Sequence, residues 1–475
     1  MRIEICLFVL SAVALMAAGA GERVAAPSGN VRVSGTPDKV RFATAWSTLA
    51  DPAAAATEAT RAALAALGTP AKGIVFYVFY EDPSLDTFDK PDLKKEEAAA
   101  AAVHAAAGGV PNIGCRARSL VNGGTLQKDA VAVLAIGGNQ VSAAAVSAPI
   151  LDARLQTGRQ IAAGVKDVKD LKLVFALAQP QLSFEAKEGV SVEDFIKGVI
   201  DNTPKGTVLF GGNSMGGGPA DGRQFINGKA LEHSVVALGV GGPIELFSNH
   251  TNEFTPSEQT FTATRTVEKW IITLDDRPAA QVYREASGMT PDDKLTWDDQ
   301  HPIGVVVAPD KVYLRMVLNE IGADGKDKDG KVVQVTDEKG QLVTIPPGSL
   351  RFIAPIVQGS KVKVLKWEGK PEPILASASS AIQESLKEAK AANTTPALSL
   401  LSNCCARGFR LLELGKGERD EITQAILPDM KKVSDEIPVF GFYAYGELGP
   451  IRGTYQGYNV QYQQHTFVST VVGIR

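Results

Sequence analysis

One pattern of predicted secondary structure recurs three times along this chain, and it constrains the fold more than any other feature. In the first copy, a buried strand over 73–79 is followed by an alanine-rich helix over 96–107 and a glycine-containing strand over 110–115. A strand over 130–136 closes the unit. A parallel return between two strands needs a crossover helix, so each copy predicts a mixed sheet covered by helices.

The second and third copies repeat these four elements in the same order. The second copy spans 171–177, 192–202, 207–213 and 234–240, and the third, near the C-terminus, spans 397–404, 418–433, 437–445 and 466–474. The repeat is longer than that of solenoid proteins, so we expect a few packed units and not an extended array.

The segment between the second and third copies has the pattern of a β-rich region. Short apolar runs separated by turn formers predict strands over 270–274, 301–308, 312–317, 332–335, 342–345 and 361–365. The charged loop 324–330 has no Glu at the twelfth position of a calcium loop, so we interpret it as a hairpin tip. A helix over 375–392 leads into the third copy. The sequence thus predicts an α/β (mixed α+β) fold of repeated strand-helix-strand units with a β-rich middle.

The N-terminal residues have the pattern of an export signal. Arg2 precedes an apolar run over 5–16, and small residues follow at 18–20. We therefore predict a signal peptide over 1–20, a flexible tether over 21–39 and a periplasmic or extracellular protein. The apolar run is shorter than the roughly 20 residues that span a bilayer, so we expect no stable membrane insertion.

Charge and cysteine content exclude several classes of function. The chain has 49 Lys and Arg against 53 Asp and Glu, so no net positive charge attracts nucleic acid. Loss of the signal peptide would leave Cys115, Cys404 and Cys405, an odd number that does not indicate a disulfide scaffold. Adjacent cysteines on a strand point to opposite faces, so we expect one buried thiol and one facing elsewhere. The chain has no Cys-x-x-Cys and no His-x-x-x-His, so no metal site is predicted.

A possible nucleophile motif follows the second glycine-containing strand. Gly212-Asn213-Ser214-Met215-Gly216 matches the Gly-x-Ser-x-Gly elbow of serine hydrolases. That elbow requires a helix to begin directly after the serine, whereas the glycine- and proline-containing run 217–222 follows here. A serine hydrolase using Ser214 therefore stays an alternative, and we assign no catalytic residue.

The C-terminal segment carries a more specific motif. The run over 438–450 reads Pro-Val-Phe-Gly-Phe-Tyr-Ala-Tyr-Gly-Glu-Leu-Gly-Pro, and Gln463-Gln464-His465-Thr466 opens the last strand. This pattern resembles the end of the FIST domain, a two-part sensory module. Residues 277–283, 313–315 and 403–407 are similar to further family segments in the same order, so the resemblance covers about residues 40–475.

The resemblance implies the domain organisation and a function. It implies a FIST N-terminal-like domain over 40–255, with an internal duplication at about 73–147 and 171–247, and a FIST C-terminal-like domain over 256–475. It also implies a non-catalytic sensory protein that binds a small ligand, with amino acids or related metabolites proposed for the family. With no effector domain in the sequence, a signal would pass to a partner protein.

Two motifs depart from the family pattern, and they leave the ligand open. Gly114-Cys115 is followed by Arg116 where the family has Ser or Thr, and Gln463-Gln464-His465-Thr466 replaces the usual His-Asn-Gln-Thr. Haem-based gas sensing is known in some members, and His104 and His465 are the candidate iron ligands here, but we predict no cofactor. An envelope scaffold with a degenerate pocket is a further alternative.

We predict that glycine-containing strands of the three units meet at one rim, where backbone groups approach a ligand. Glu447 and Arg407 would supply opposite charges to a zwitterion, and the alternative is a buried ion pair between them. The candidate ligand-binding residues are Cys115, Gly212, Asn213, Cys404, Arg407, Gly441, Tyr445, Gly446, Glu447, Gln464 and His465.

Overall fold

The computed structural model describes residues 31–81, 92–117, 120–122, 125–127, 129–183, 189–215, 222–290, 293, 295–309, 311–337, 339–414, 428, 432–433, 435, 437–455 and 458–475. The predicted signal peptide lies outside the described residues, and so does most of the helix predicted over 418–433.

Seven helices lie within the described residues. They are α1 (Pro52–Leu67), α2 (Leu93–Ala107), α3 (Arg154–Val165), α4 (Val192–Ile200), α5 (Ala279–Ser287), α6 (Pro371–Ala391) and α7 (Cys405–Glu413). Local signals fix their ends: the Asp51 side chain accepts a hydrogen bond from the Ala54 amide at the start of α1, and Gly68 ends that helix in the left-handed conformation. None of these helices is both long and apolar enough to span a membrane.

The strands are numbered in chain order. They are β1 (Arg32–Gly35), β2 (Arg41–Ser47), β3 (Ala71–Phe79), β4 (Asn112–Arg116), β5 (Leu120–Asn122), β6 (Thr125–Gln127), β7 (Ala130–Gly137), β8 (Ser142–Pro149), β9 (Leu171–Ala178), β10 (Val208–Asn213), β11 (Gln224–Ile226), β12 (Lys229–Leu231), β13 (Ser234–Gly241), β14 (Ile244–Asn252), β15 (Thr255–Pro256), β16 (Phe261–Val267), β17 (Trp270–Leu274), β18 (Arg277–Pro278), β19 (Thr296–Ala308), β20 (Lys311–Glu320), β21 (Gln334–Thr336), β22 (Leu342–Thr344), β23 (Leu350–Phe352), β24 (Lys361–Lys366), β25 (Thr395–Cys404), β26 (Val439–Ala444), β27 (Glu447–Tyr455), β28 (Tyr458–Gln463) and β29 (Thr466–Ile474).

Three sheets share one strand order, as the repeated sequence pattern predicts. Their main strands run β2-β7-β3-β4, β8-β13-β9-β10 and β14-β29-β25-β26. In each sheet the last two strands are parallel, and the closing strand inserts between the first strand and that pair. We call the three repeats units 1, 2 and 3. The mixed α/β fold class is confirmed.

The units exchange hairpins in a cycle. The β11–β12 hairpin of unit 2 extends the sheet of unit 1, the β27–β28 hairpin of unit 3 extends that of unit 2, and the β5–β6 hairpin of unit 1 extends that of unit 3. The N-terminal and C-terminal halves of the chain therefore share sheets. The domain boundary at 255/256 stays a prediction.

The inner faces of the three sheets enclose one apolar core. The ring of Tyr77 in unit 1 lies 4.5 Å from the ring of Phe440 and 4.6 Å from that of Phe442, both in unit 3. Phe175 and Phe210 of unit 2 belong to the same core. Helices cover the outer faces and bury separate apolar clusters.

The β-rich middle forms an eight-stranded sheet between β14 and α6. It contains the predicted strands of the region except the 332–335 and 342–345 runs, which form the separate β21–β22 pair. Arg315 of β20 anchors the sheet to unit 2, because its guanidinium lies 2.5 Å from the Glu193 carboxylate of α4 and donates to the Tyr462 carbonyl at 2.7 Å.

Candidate functional site

The exchanged hairpins create equivalent junctions between units. At the first junction, Gln224 opens β11 opposite Cys115 of β4. At the second junction, Glu447 opens β27 opposite Gly212 of β10. The backbones match, because the Arg116 amide donates to the Arg223 carbonyl at 3.1 Å and the Asn213 amide donates to the Gly446 carbonyl at 3.0 Å.

Most of the predicted site residues lie at the second junction or on the turns beside it. Gly212 and Asn213 end β10, Cys404 ends β25, and Arg407 lies in the first turn of α7. Tyr445 and Gly446 form the β26–β27 turn before Glu447 opens β27, and Gln464 and His465 form the β28–β29 turn. Cys115 lies in β4 at the first junction, and Gly441 lies inside β26. The C-terminal motif thus marks one region of the molecule.

Glu447 is the most unusual group in this region. Its side chain is fully buried, and neither carboxyl oxygen makes a hydrogen bond of normal geometry, although the Cys404 thiol and the Thr466 amide lie close to it. Burial and the neighbouring Cys404 thiol raise the pKa of Glu447 well above its ordinary value, while the Thr466 amide and Arg407 oppose the rise only in part. Burial therefore favours the neutral form of this carboxyl group to a higher pH than that of an exposed glutamate.

The equivalent residue of the first junction is partnered. The Gln224 side-chain amide nitrogen donates to the Ser214 hydroxyl at 2.6 Å, while its amide oxygen has no hydrogen-bond partner. Gly212 of unit 2 and Phe442 of unit 3 are equivalent, because each lies opposite the first residue of an exchanged hairpin. Ser214 lies two residues after Gly212, so its equivalent in unit 3 is Ala444, two residues after Phe442. Glu447 therefore lacks the hydroxyl group that partners Gln224.

Glycine is required at the second junction. Gly446 has a φ of +113°, and a Cβ atom there would lie 1.8 Å from the Tyr462 hydroxyl. A Cβ at Gly212 would lie 2.9 Å from the Gly446 carbonyl. Asn213 holds the adjoining turn, because its side-chain amide donates to the Tyr445 carbonyl at 3.2 Å and its own carbonyl accepts from the Tyr445 amide at 3.1 Å.

Arg407 does not pair with Glu447. Its guanidinium donates to the Glu253 carboxylate at 2.7 Å, and to the Ile374 carbonyl and the Ser377 hydroxyl at 2.7 and 2.8 Å. The expected opposition of Arg407 and Glu447 across a zwitterion and the alternative ion pair are both wrong, because Glu253, which follows β14, takes the guanidinium.

His465 joins this ion pair. Its Nδ1 lies 3.3 Å from the Glu253 carboxylate and 3.3 Å from the Arg410 Nε. Burial alone would raise the pKa of Glu253, but Arg407, His465 and Arg410 together hold that pKa below its ordinary value. Arg410 also stacks over the Trp367 ring at 4.0 Å. Gln464 accepts from the Met316 amide at 3.4 Å.

The predicted open rim of glycines is wrong for Gly114 and Gly441. A Cβ at Gly114 would lie 2.6 Å from the Phe76 ring, and a Cβ at Gly441 would lie 2.6 Å from Leu401. Both glycines therefore allow close packing within their sheets. Two cavities of about 450 and 570 Å³ among the described residues are lined by none of the predicted site residues.

All three described cysteines are free thiols and buried. The expectation that either Cys404 or Cys405 faces elsewhere is wrong, because Cys404 ends β25 and Cys405 begins α7, where the chain changes direction. The neighbouring Cys405 and burial raise the pKa of Cys404 well above its ordinary value, so it carries a neutral thiol beside Glu447.

The residues named for hydrolase and haem chemistry have other contacts. The Ser214 hydroxyl accepts from Gln224 and contacts no histidine among the described residues. His104 bonds the Asn112 side chain at 2.9 Å, and His465 bonds Glu253. No three His, Cys, Asp or Glu side chains cluster as metal ligands within the described part of the chain.

Sequence reasoning missed several polar residues in this region. Glu253 belongs to no motif and lies 154 residues from the arginine that it binds, so no local pattern identifies it. Asn403 and Tyr443 lie within the quoted motifs, where the apolar pattern predicts only strand residues. A polar side chain inside an apolar strand is the signal that could have identified Asn403.

Comparison with known protein families identifies two matching domains. The FIST N domain matches residues 87–277 and the FIST C domain matches residues 279–450, together more than half of the chain. The chain belongs to the FIST family. FIST domains are sensory modules that bind small ligands, and this supports a sensory role.

Other comparisons add little to this assignment. No curated protein matches significantly. Among solved structures, the cyanuric acid hydrolase of A. caulinodans is similar at 10% identity and a TM-score of 0.24, over 45% of this chain and 70% of that chain. PurLQS of Thermotoga maritima is similar at 10% identity and a TM-score of 0.19, over 94% of this chain and 75% of that chain. Similarity at this level supports no inference about fold or function.

Proposed function

We propose that this FIST protein is an exported, non-catalytic sensory protein that binds a small amine-bearing metabolite, such as an amino acid, at the second junction. The observation that carries the proposal is the Glu447 carboxyl group, fully buried and without a hydrogen-bond partner. A buried polar group without a partner costs about 1–3 kcal/mol, so its retention calls for a use in function.

An ammonium group is the natural partner for this carboxyl. In the apo protein, burial disfavours the charged form of Glu447 and raises its pKa. A bound ammonium would favour the carboxylate by charge and by hydrogen bonding, so binding would release a proton. A zwitterion paired between Glu447 and Arg407 is not part of this proposal, since Glu253 binds Arg407.

Binding at Glu447 requires movement of the surrounding chain. The carboxyl group is fully enclosed, and the half-buried Tyr445 and the glycine at 446 form the turn beside it. Opening of this β26–β27 turn would admit the ligand and alter the surface that a signalling partner contacts. The proposal retains export to the periplasm or outside, with domains over 40–255 and 256–475.

A thermal-shift experiment on the full chain tests the proposal. The probes are glycine and ethanolamine, applied to the wild type, to Glu447→Gln and to the control Glu285→Gln, an exposed glutamate paired with Arg277. A probe at 100 times its dissociation constant should stabilise the wild type and the control by about 2.7 kcal/mol and leave Glu447→Gln unchanged. An equal response from Glu447→Gln would remove this residue from the site.

A further inference from the structure

A row of side chains crosses the outer face of the unit 3 sheet. Phe467 of β29 is aligned with Asn403 of β25, and Asn403 with Tyr443 of β26. Successive strand residues point to opposite faces, so Asn403 faces away from the second junction that its neighbour Cys404 contacts. The Arg407 guanidinium lies over the Phe467 ring, 5.8 Å from its centroid.

These side chains bury polar atoms that make no hydrogen bond of normal geometry, although the Asn403 amide and the Tyr443 hydroxyl lie close to each other. The atoms are both side-chain amide atoms of Asn403, the Tyr443 hydroxyl and the Arg407 Nε. The three residues are only 1%, 3% and 0% exposed. Four such atoms within one row are costly to the fold, and other native sites keep such groups for a ligand.

The surroundings favour a small organic ligand. Apolar residues of the helices α6 and α7, among them Ile374, Ala378 and Leu411, pack on this face together with Phe467 and Tyr443. Ligand sites are typically apolar with a few converging polar groups. Arg407 is also held in place, because Glu253, Ile374 and Ser377 bind its two terminal nitrogens.

We propose that Asn403, Tyr443 and Arg407 form a second binding site, for the carboxylate of a small hydroxy acid, on the sheet face opposite Glu447. The Arg407 Nε, the Asn403 amide nitrogen and the Tyr443 hydroxyl donate to the carboxylate oxygens. The Asn403 amide oxygen accepts from the ligand hydroxyl. Burial raises the pKa of Tyr443 to about 12, so its hydroxyl keeps the proton to donate.

The donor set favours a monocarboxylate over other ligands. The Glu253 carboxylate already pairs with Arg407, so a phosphate dianion would bring more negative charge than this guanidinium can balance. An amine would meet three donors and a single acceptor. This second site lies on the opposite face of the sheet from Glu447. Arg407 makes no hydrogen bond to Glu447 and acts on it only through its charge.

The test uses lactate and acetate as probes in carboxylate-free buffer, with the full chain and three variants. Asn403→Leu replaces the amide with an apolar group of similar size, and Tyr443→Phe removes one oxygen. Ser399→Ala is the matched control, since Ser399 lies on the same strand and face, and its buried hydroxyl is also without a partner.

We expect lactate to raise the Tm of the wild type, of Ser399→Ala and of Glu447→Gln alike, with acetate weaker. Each of Asn403→Leu and Tyr443→Phe should weaken lactate affinity at least roughly tenfold, the loss expected for one charge-assisted hydrogen bond. Without lactate, Asn403→Leu should raise the Tm, because it removes two buried groups that lack partners.

Three results would overturn the proposal. They are a wild type that responds to neither acid, an Asn403→Leu or Tyr443→Phe variant with unchanged lactate affinity, and a lower Tm for Asn403→Leu without lactate. The last would assign the amide a structural role, satisfied by bound water. If Asn403→Leu fails to fold, the lactate affinity of Tyr443→Phe tests the proposed site on its own.

Discussion

The first and second junctions have the same backbone pairing and different chemistry. At the first, the Gln224 amide donates to the Ser214 hydroxyl at 2.6 Å, and at the second, Glu447 has no hydrogen-bond partner. The difference therefore lies in the side chains. The second junction has the carboxyl of Glu447 where the first has the amide of Gln224, and Ala444 where the first has Ser214. Equivalent positions of repeated units can be compared within one chain, and a residue that differs in its chemistry from its equivalents is a candidate functional residue.

The largest expected effect is on the pH dependence of stability in Glu447→Gln. The folded wild type keeps the Glu447 proton, and the unfolded chain releases it above pH about 4.5. The contribution of Glu447 to stability is thus greatest below that pH and falls as pH rises, by up to roughly 1.4 kcal/mol per pH unit. Urea denaturation between pH 5 and 8 should show a smaller fall for Glu447→Gln, and an unchanged slope would refute the raised pKa.

The first junction contains a buried acid of its own, Glu96, whose carboxyl lies 3.9 Å from the Arg116 guanidinium. Burial raises the pKa of Glu96 to about 8, although Arg116 and Arg223 oppose the rise. Its contribution to stability is also lost as pH rises from about 4.5 to about 8. Glu96→Gln should reduce the urea-measured slope within this window and leave the slope above pH about 8 unchanged. A slope within the window that Glu96→Gln does not change would refute the raised pKa of Glu96.

Backbone requirements separate the junctions as well. Gly446→Ala should destabilise the protein by roughly 3 kcal/mol, since the new Cβ collides with the Tyr462 hydroxyl and φ is positive. The matched change at the first junction, Arg223→Ala, should cost under about 1 kcal/mol at pH 5, because it removes the partly exposed ion pair with Glu232 and a charge that acts on Glu96 without a hydrogen bond. Chemical denaturation measures both, and equal losses would contradict the contrast.

The smallest expected effect concerns the partnered amide. Ser214→Ala removes the hydroxyl that Gln224 bonds and should cost about 1 kcal/mol in urea denaturation. Binding of amines at Glu447 should not change. Labelling of the wild type by a fluorophosphonate, lost in Ser214→Ala, would instead support the serine hydrolase alternative.

Local sequence patterns predicted about half of the described strands and the three-fold repeat. Continuous apolar runs identified β3, β9 and β17, because buried strands need apolar residues on both faces. The helix α1 and the strand β8 were missed, since their alanine-rich sequences carry little periodic signal.

The hairpin exchange and the ion pairs could not be predicted in this way. Which sheet receives β27 depends on packing of distant units, and the pairing of Gly212 with Glu447 joins residues far apart in the chain. The motif identified Arg407 and Glu447 correctly as neighbours in one region. It could not indicate that Glu253 binds the arginine and leaves the glutamate without a partner.

Proton release on ligand binding is the most direct measurement of what distinguishes the second junction. Isothermal titration of glycine into the full chain, in phosphate and in Tris at pH 7, gives the number of protons exchanged from the dependence of the heat on the buffer. We predict release of about one proton per glycine for the wild type and none for Glu447→Gln. A wild-type binding heat that is the same in both buffers, once corrected for dilution, would contradict the assignment of Glu447 as the ammonium partner.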